Sequence, residues 1–404
     1  MSTPEKVAEN AAISFVLALG NALHRYGTPA HRLEEALKEC CRRLELDAEV
    51  FTTPTTIIMS FGEPHELRTR MMRVDSTELD MDKLARVDAL ADRVAAQAVS
   101  PADGVVQLEE ILAARRRYRA RVSTPMHAVT AGALAVFFGG GLPEVAVAAV
   151  IGLALGTFAI FAQRSTDQAR VFELAGAAFA SLTANVVSAY VDYSPSLATV
   201  AALIVLLPGM SLTIAMTELA TRNLIAGTAR LMSAVIVLLE LVVGVALGER
   251  AAATLVDIHQ IAPVALPAWS QWAALGASLI GVAVLVQTQP RAFVWILLTG
   301  VLGYIAARIG TGWLGQLGAM FGAFAVGIVG NVYARYLQRP AQIVTVPAVL
   351  LLVPGAMGFR GIRSLLTGET LTGVGTVFEM FIVATAIVAG LLIANAALQP
   401  RRSL

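Results

Sequence analysis

Leu206-Leu207-Pro208-Gly209 and, 146 residues later, Leu352-Val353-Pro354-Gly355 are the two stretches that decide the fold. Each sits inside an apolar run of the length that crosses a bilayer, about 20 residues. Proline within a helix removes one backbone hydrogen bond and clashes with the carbonyl four residues back. Those carbonyls belong to Ile204 and Leu350. The adjacent glycine removes side-chain bulk and loosens the backbone. In lipid an unsatisfied peptide group costs several kcal/mol, so a broken helix survives only where protein or water meets the freed groups. Two such breaks at mid-depth predict a central binding site built from half-helix ends, against the alternative of two structural kinks.

Working outward, the same offset relates other pairs. Asn185-Val186 matches Asn331-Val332, and Tyr190 matches Tyr336. Gly176-Ala177 matches Gly322-Ala323, and Thr221, Gly227 and Gly244 match Thr367, Gly373 and Gly390. Ten spans are expected: 126–142, 144–162, 171–190, 197–217, 229–248, 270–288, 292–309, 313–335, 342–363 and 374–396. Each half then holds five. An odd number makes the second half enter from the opposite side, so a 5+5 inverted repeat is expected.

The first 121 residues differ in character. All three lysines (Lys6, Lys38, Lys83) and 19 of the 29 acidic residues precede residue 127. The expected units are a small α+β cytosolic domain (1–121), a first membrane repeat (122–250), an outer loop (251–268) and a second repeat with a tail (269–404). In the first unit, helices are expected over 10–26, from Pro29 to about Leu46, over 80–97 and from Pro101 to the basic run 115–121. Residues 49–59 read as one β-strand, and 65–74 as another after the turn at Gly62-Glu63-Pro64. The run Ala11 to Leu19 is too short and too acidic in front to read as a cleavable signal.

The chain carries a net charge of +1, which argues against a nucleic-acid partner. Its two cysteines, Cys40 and Cys41, are adjacent and suit no disulfide framework. No Cys/His spacing matches a zinc site, and neither metal nor cofactor is expected. Thr52, Thr53, Thr55 and Thr56 around Pro54 read as a ligand loop or as an ordinary polar strand. A membrane-anchored hydrolase built on His24, His31 or His65 lacks a nucleophile–base pair.

Candidate site residues lie in the membrane region. Pro208, Gly209, Pro354, Gly355, Asn185 and Asn331 are candidates for binding substrate, the asparagines equally for tying helices. Glu240 and Glu379 are the proton-coupling candidates, because a carboxylate inside a span is expensive and calls for a function. Glu218 and Arg222, four apart, read as a helical ion pair or gate. Arg360 and Arg363 follow the second break and suit an anionic group, or merely flank the span. Arginines divide 14 to 4 between alternate loops, which places both termini in the cytosol and His259 outside. The location expected is the cell membrane, multi-pass.

The order of motifs resembles the threonine/serine exporter family. The resemblance runs through Gly27-Thr28-Pro29-Ala30-His31-Arg32-Leu33-Glu34-Glu35 and Phe51-Thr52-Thr53-Pro54-Thr55. It continues through Leu206-Leu207-Pro208-Gly209, Gly227-Thr228-Ala229-Arg230 and Leu352-Val353-Pro354-Gly355. It implies proton-driven export of small hydroxy amino acids, with export of a dicarboxylate such as succinate as the alternative. The partners implied are that substrate, protons and the lipid bilayer; homo-oligomerisation is left open.

Overall fold

The computed structural model describes residues 3–399 except 64, 66, 75–77, 163, 259–260, 353–354 and 367. Pro64, His259, Pro354, Thr367, Arg401 and Arg402 therefore lie outside the described residues. The chain is mainly helical, with one three-stranded sheet near its N-terminus.

The N-terminal unit packs α1 (Thr3–Arg25), α2 (Ala30–Arg43), β1 (Ala48–Thr53), β2 (Thr56–Phe61), β3 (Arg68–Arg73), α3 (Met81–Ala95) and α4 (Pro101–Ala113). The single strand expected over 49–59 is a hairpin. Thr53 pairs with Thr56, so Pro54-Thr55 is the two-residue turn. Proline is tolerated there because the turn needs no donor from it. β2 alternates with Ile57, Met59 and Phe61 inward. β3 is an arginine-bearing, exposed edge, which blunts pairing with other chains. The apolar run of α1 is the core of this unit, with Phe15, Val16 and Leu19 buried against Leu33, Leu37 and Leu108. α4 ends before the arginine run, not within it.

The remaining helices are α5 (Ala120–Phe137), α6 (Leu142–Ala162), α7 (Thr166–Arg170), α8 (Phe172–Val187), α9 (Pro195–Leu203), α10 (Gly209–Ala220), α11 (Leu224–Ala253), α12 (Ser270–Leu285), α13 (Phe293–Leu314), α14 (Ala319–Leu337), α15 (Gln342–Leu352), α16 (Gly355–Leu366) and α17 (Thr370–Ala397). Among the described residues, five stretches are long and apolar enough to span a bilayer: Leu142–Ala162, Leu224–Ala253, Pro290–Leu337, Gln342–Leu365 and Thr370–Ala397. Pro290–Leu337 contains two helices, and Phe172–Val187 and Ser270–Leu285 are shorter apolar helices. Run 197–217, expected as one span, is two helices, α9 and α10, whereas run 342–363 is described as α15 up to Leu352 and α16 from Gly355, with 353–354 outside the described residues.

Small residues let the long helices touch. A Cβ added at Gly244 on α11 would lie 2.3 Å from the Leu174 carbonyl oxygen on α8. One added at Gly390 on α17 would lie 2.2 Å from the Met320 carbonyl oxygen on α14. Backbone meets backbone at both crossings, which only glycine permits.

Candidate functional site

The break at Pro208 is a true interruption. Pro208 (φ −79°, ψ 40°) ends the linker from α9 and caps α10 through its carbonyl, which accepts from Leu212 N at 2.9 Å. In an unbroken helix Gly209 N–H would donate to Val205. Here it donates to Leu207 O at 2.8 Å. The carbonyl released is thus that of Val205. Ile204 O, expected to be freed, accepts from Leu207 N at 3.3 Å, because the chain tightens into a short turn before the proline.

The first break lies against Gly355. A Cβ on Gly355 would stand 3.4 Å from Gly209 Cα and 3.4 Å from Leu207 Cβ. Gly209 begins α10, and Gly355 is the first described residue of α16. The N-terminus of α10 therefore lies against Gly355. Its dipole favours negative charge there.

The other candidates fall into distinct roles. Asn185 is buried and gives its amide to Ser181 O at 2.8 Å, while Ser181 Oγ donates across to Val245 O of α11 at 2.9 Å. Asn331 is buried and donates to Asn395 Oδ1 at 2.9 Å and Leu398 O at 2.8 Å, at the end of α17. The Asn185 amide bonds stay within α8, whereas those of Asn331 tie α14 to the end of α17. Glu240 on α11 and Glu379 on α17 are half-buried, and neither forms an ion pair among the described residues. Glu240 lies close enough to Glu173, at the start of α8, for their charges to interact. Arg360 lies over the Phe138 ring, 5.3 Å from its centroid. Arg363 forms an ion pair with Glu249 of α11.

The expected Glu218–Arg222 pair is replaced. Glu218 is fully buried and pairs with Arg230 of α11, at 3.1 Å from Nε to Oε2 and 3.2 Å from Nη2 to Oε1. Arg222 instead takes the turn between α10 and α11 with φ of +64°. That left-handed turn points its side chain out of the α10 ladder, so the four-residue spacing no longer sets the partner. Glu218 also accepts from Ala30 N at 3.1 Å. Ala30 opens α2 behind Pro29, a residue with no side-chain acceptor to offer. The carboxylate of α10 therefore caps a helix of the N-terminal unit.

The α1–α2 corner around this cap is dense. His24 Nε2 bonds Thr53 O at 2.9 Å, and Glu34 accepts from Thr52 N at 2.8 Å and Thr52 Oγ1 at 3.0 Å. The threonine cluster thus serves the corner, in the role of a structural strand end. Burial pushes His24 below its ordinary value and His31 down to about 4. Burial raises the Cys40 and Cys41 thiols to about 12. The second seam lies at residues 286–289. Met81 N donates to Val286 O at 2.9 Å, Tyr118 N to Gln287 Oε1 at 2.8 Å, and Gln289 Nε2 to Asp82 Oδ1 at 2.8 Å. Asp82 also holds Arg117 and Arg86, and Arg339 donates to Gln289 Oε1 at 2.7 Å.

Sequence reasoning missed Glu144. It is buried, accepting from Gly141 N and Ser194 N, both at 2.8 Å, and so staples the α5–α6 turn to the start of α9. Its only signal was an acidic residue beside Pro143 in an apolar run.

Comparison with known proteins agrees with this architecture. A family model described as "Putative threonine/serine exporter" matches residues 14–252, and a second, "Threonine/Serine exporter", matches residues 272–397. An uncharacterised protein of Schizosaccharomyces pombe is 27% identical over 86% of this chain and 44% of its own length. Pheromone-regulated membrane protein 10 of Saccharomyces cerevisiae is 28% identical over 88% of this chain and 47% of its own length, and that of Eremothecium gossypii 26% over 86% and 48%. The chain thus spans less than half the length of these relatives. No solved structure matches it. With both halves covered in order, the chain belongs to the threonine/serine exporter family of membrane proteins.

Proposed function

We propose that this protein is a secondary transporter that exports threonine and serine from the cytosol, driven by the proton gradient. The observation that carries it is the meeting of Gly209 and Gly355. The N-terminus of α10, with Gly355 beside it, supplies a seat for a substrate carboxylate, and the released Val205 carbonyl suits an ammonium group. Glu240, with Glu173 nearby, is the proposed proton site.

The inverted 5+5 repeat is part of the proposal. Its support is positional. α11 and α17 begin at 224 and 370, 146 apart. Gly227 would meet Leu219 Cγ at 2.7 Å, and Gly373 would meet Leu365 Cγ at 2.6 Å. Gly244 faces Leu174, Ala177 and Ala178, and Gly390 faces Met320, Ala323 and Phe324, again 146 on. The cytosolic placement of both termini has similar support. The N-terminal unit touches α10, α11 and the α12–α13 turn, and through Gln289 reaches Arg339, all on the side the arginines assign to the cytosol.

A dicarboxylate remains the second reading, because the α10 N-terminus favours negative charge and two arginines follow Gly355 on α16. Of the two arginines that would assist it, Arg363 already faces Glu249, which leaves Arg360. Efflux of labelled threonine, serine and succinate from proteoliposomes under an imposed pH gradient separates the two. Threonine and serine moving faster with the gradient supports the first reading, and succinate alone supports the second.

A further inference from the structure

Apolar packing divides the molecule unevenly. One continuous core runs from the N-terminal unit into the second half, joining Leu84 and Val87 to Leu279, Val282, Ile296 and Val344. Its buried members come from α12, α13, α14 and α15, and none from α10 or α11 among the described residues. α10 and α11 belong to a separate core with α8 and parts of α16 and α17. Between the two cores the N-terminal unit is held to α10 and α11 by polar groups, chiefly Glu218 between Ala30 N and Arg230.

The two seams differ in what separating them costs. Parting the first would expose a buried apolar core, which is costly for every side chain uncovered. Parting the second breaks charge-assisted bonds that water can replace. α10 itself runs from the break at Gly209 to Glu218, nine residues on and about 14 Å at helical rise. A shift of the half-helix at the break is therefore delivered directly to the cap on α2.

We propose that the N-terminal unit moves as one body with α12, α13 and α15, and that Glu218, gripping Ala30 and Arg230, is the latch that releases it from half-helix α10. Glu218 and Arg230 are positioning residues: they set where α10 stands. The proposal rests on the transport reading for its consequence and on packing for its geometry.

Two measurements on the full chain test it. In the first, a cysteine at Ala30→Cys is labelled with a maleimide. Ala30 is 5% exposed, so labelling is slow while the latch holds. Glu218→Gln, or Arg230→Gln from the other side, speeds labelling at Ala30→Cys and leaves Met81→Cys slow. Unchanged labelling at Ala30→Cys in both variants, or equal acceleration at Met81→Cys, overturns the latch whether or not the protein transports. In the second, Ala30→Cys/Glu218→Cys is closed with a short thiol linker and reopened with reductant. Cys40 and Cys41 stay in place, because their buried thiols are raised to about 12 and react poorly. Closing should cut export at least about tenfold, and reduction should restore it, as for a gating motion. A Met81→Cys/Val286→Cys closure should leave export intact. Export that continues with the first pair closed overturns the latch. Absence of export from the unmodified chain instead defeats the transport reading, and the labelling result still decides the latch.

Discussion

At the scale of single residues, the account turns on what each side chain meets. Gly355 has space for a methyl at 3.4 Å from its neighbours. Gly355→Ala should therefore retain substrate binding, whereas Gly355→Leu must push Gly209 and Leu207 aside and should abolish it, as read by equilibrium binding to purified protein. Glu218→Ala leaves Arg230 facing a buried site without its counter-charge, and should cost about 3 kcal/mol by the usual penalty for halving a buried pair; thermal melting in detergent checks this. Glu240→Gln should lower proton-driven export while leaving substrate exchange measurable, and normal gradient-driven export by folded Glu240→Gln removes it as the proton site. His31 gives a pH prediction. Burial holds its folded pKa at about 4, below its ordinary 6.5. The folded state thus favours the neutral ring, so its stability is full above about 6.5 and falls as pH drops towards 4. His31→Gln should flatten that part of the melting profile. The break was legible at this scale because proline and glycine have few alternatives. The Glu218–Ala30 cap was not, since it joins residues 188 apart and the nearer arginine at four-residue spacing looked sufficient.

At the scale of elements, helix crossings and turns carry the argument. Gly244 and Gly390 each press a backbone oxygen of the neighbouring helix at under 2.5 Å from a notional Cβ. A backbone atom cannot step aside as a flexible side chain can. Alanine at either site should lower stability by about 1–3 kcal/mol, the range for overpacking, and by similar amounts at both. A melt showing one neutral and one damaging substitution would argue against equivalent halves. Element types were readable from periodicity, and the errors have local causes. Residues 49–59 are rich in β-branched types, so propensity suggests one strand, and only the register shows the turn at Pro54-Thr55. Span 197–217 carries no charged residue, and hydropathy does not register the change of helix within it.

At the scale of the whole molecule, the N-terminal unit is structurally part of the membrane protein. Its core continues into α12, α13 and α15, and its helix α2 is capped by α10. Composition separated this unit from the rest, but composition cannot show docking, which depends on residues far apart in the chain. The proposed opposed entry of the two halves predicts that single cysteines at Arg339 and Arg291 label from the cytosolic side, and one at Arg250 from outside. Labelling of Arg250→Cys only after permeabilisation would reverse the topology. The central claim is export of a small hydroxy amino acid from a site between the break at Pro208-Gly209 and Gly355. Its most direct measurement is efflux of labelled threonine and serine from proteoliposomes holding the unmodified chain or Gly355→Leu. The account predicts efflux that quickens with an opposing proton gradient and stops in Gly355→Leu. Efflux of neither amino acid from the unmodified chain, or undiminished efflux by folded Gly355→Leu, would contradict it.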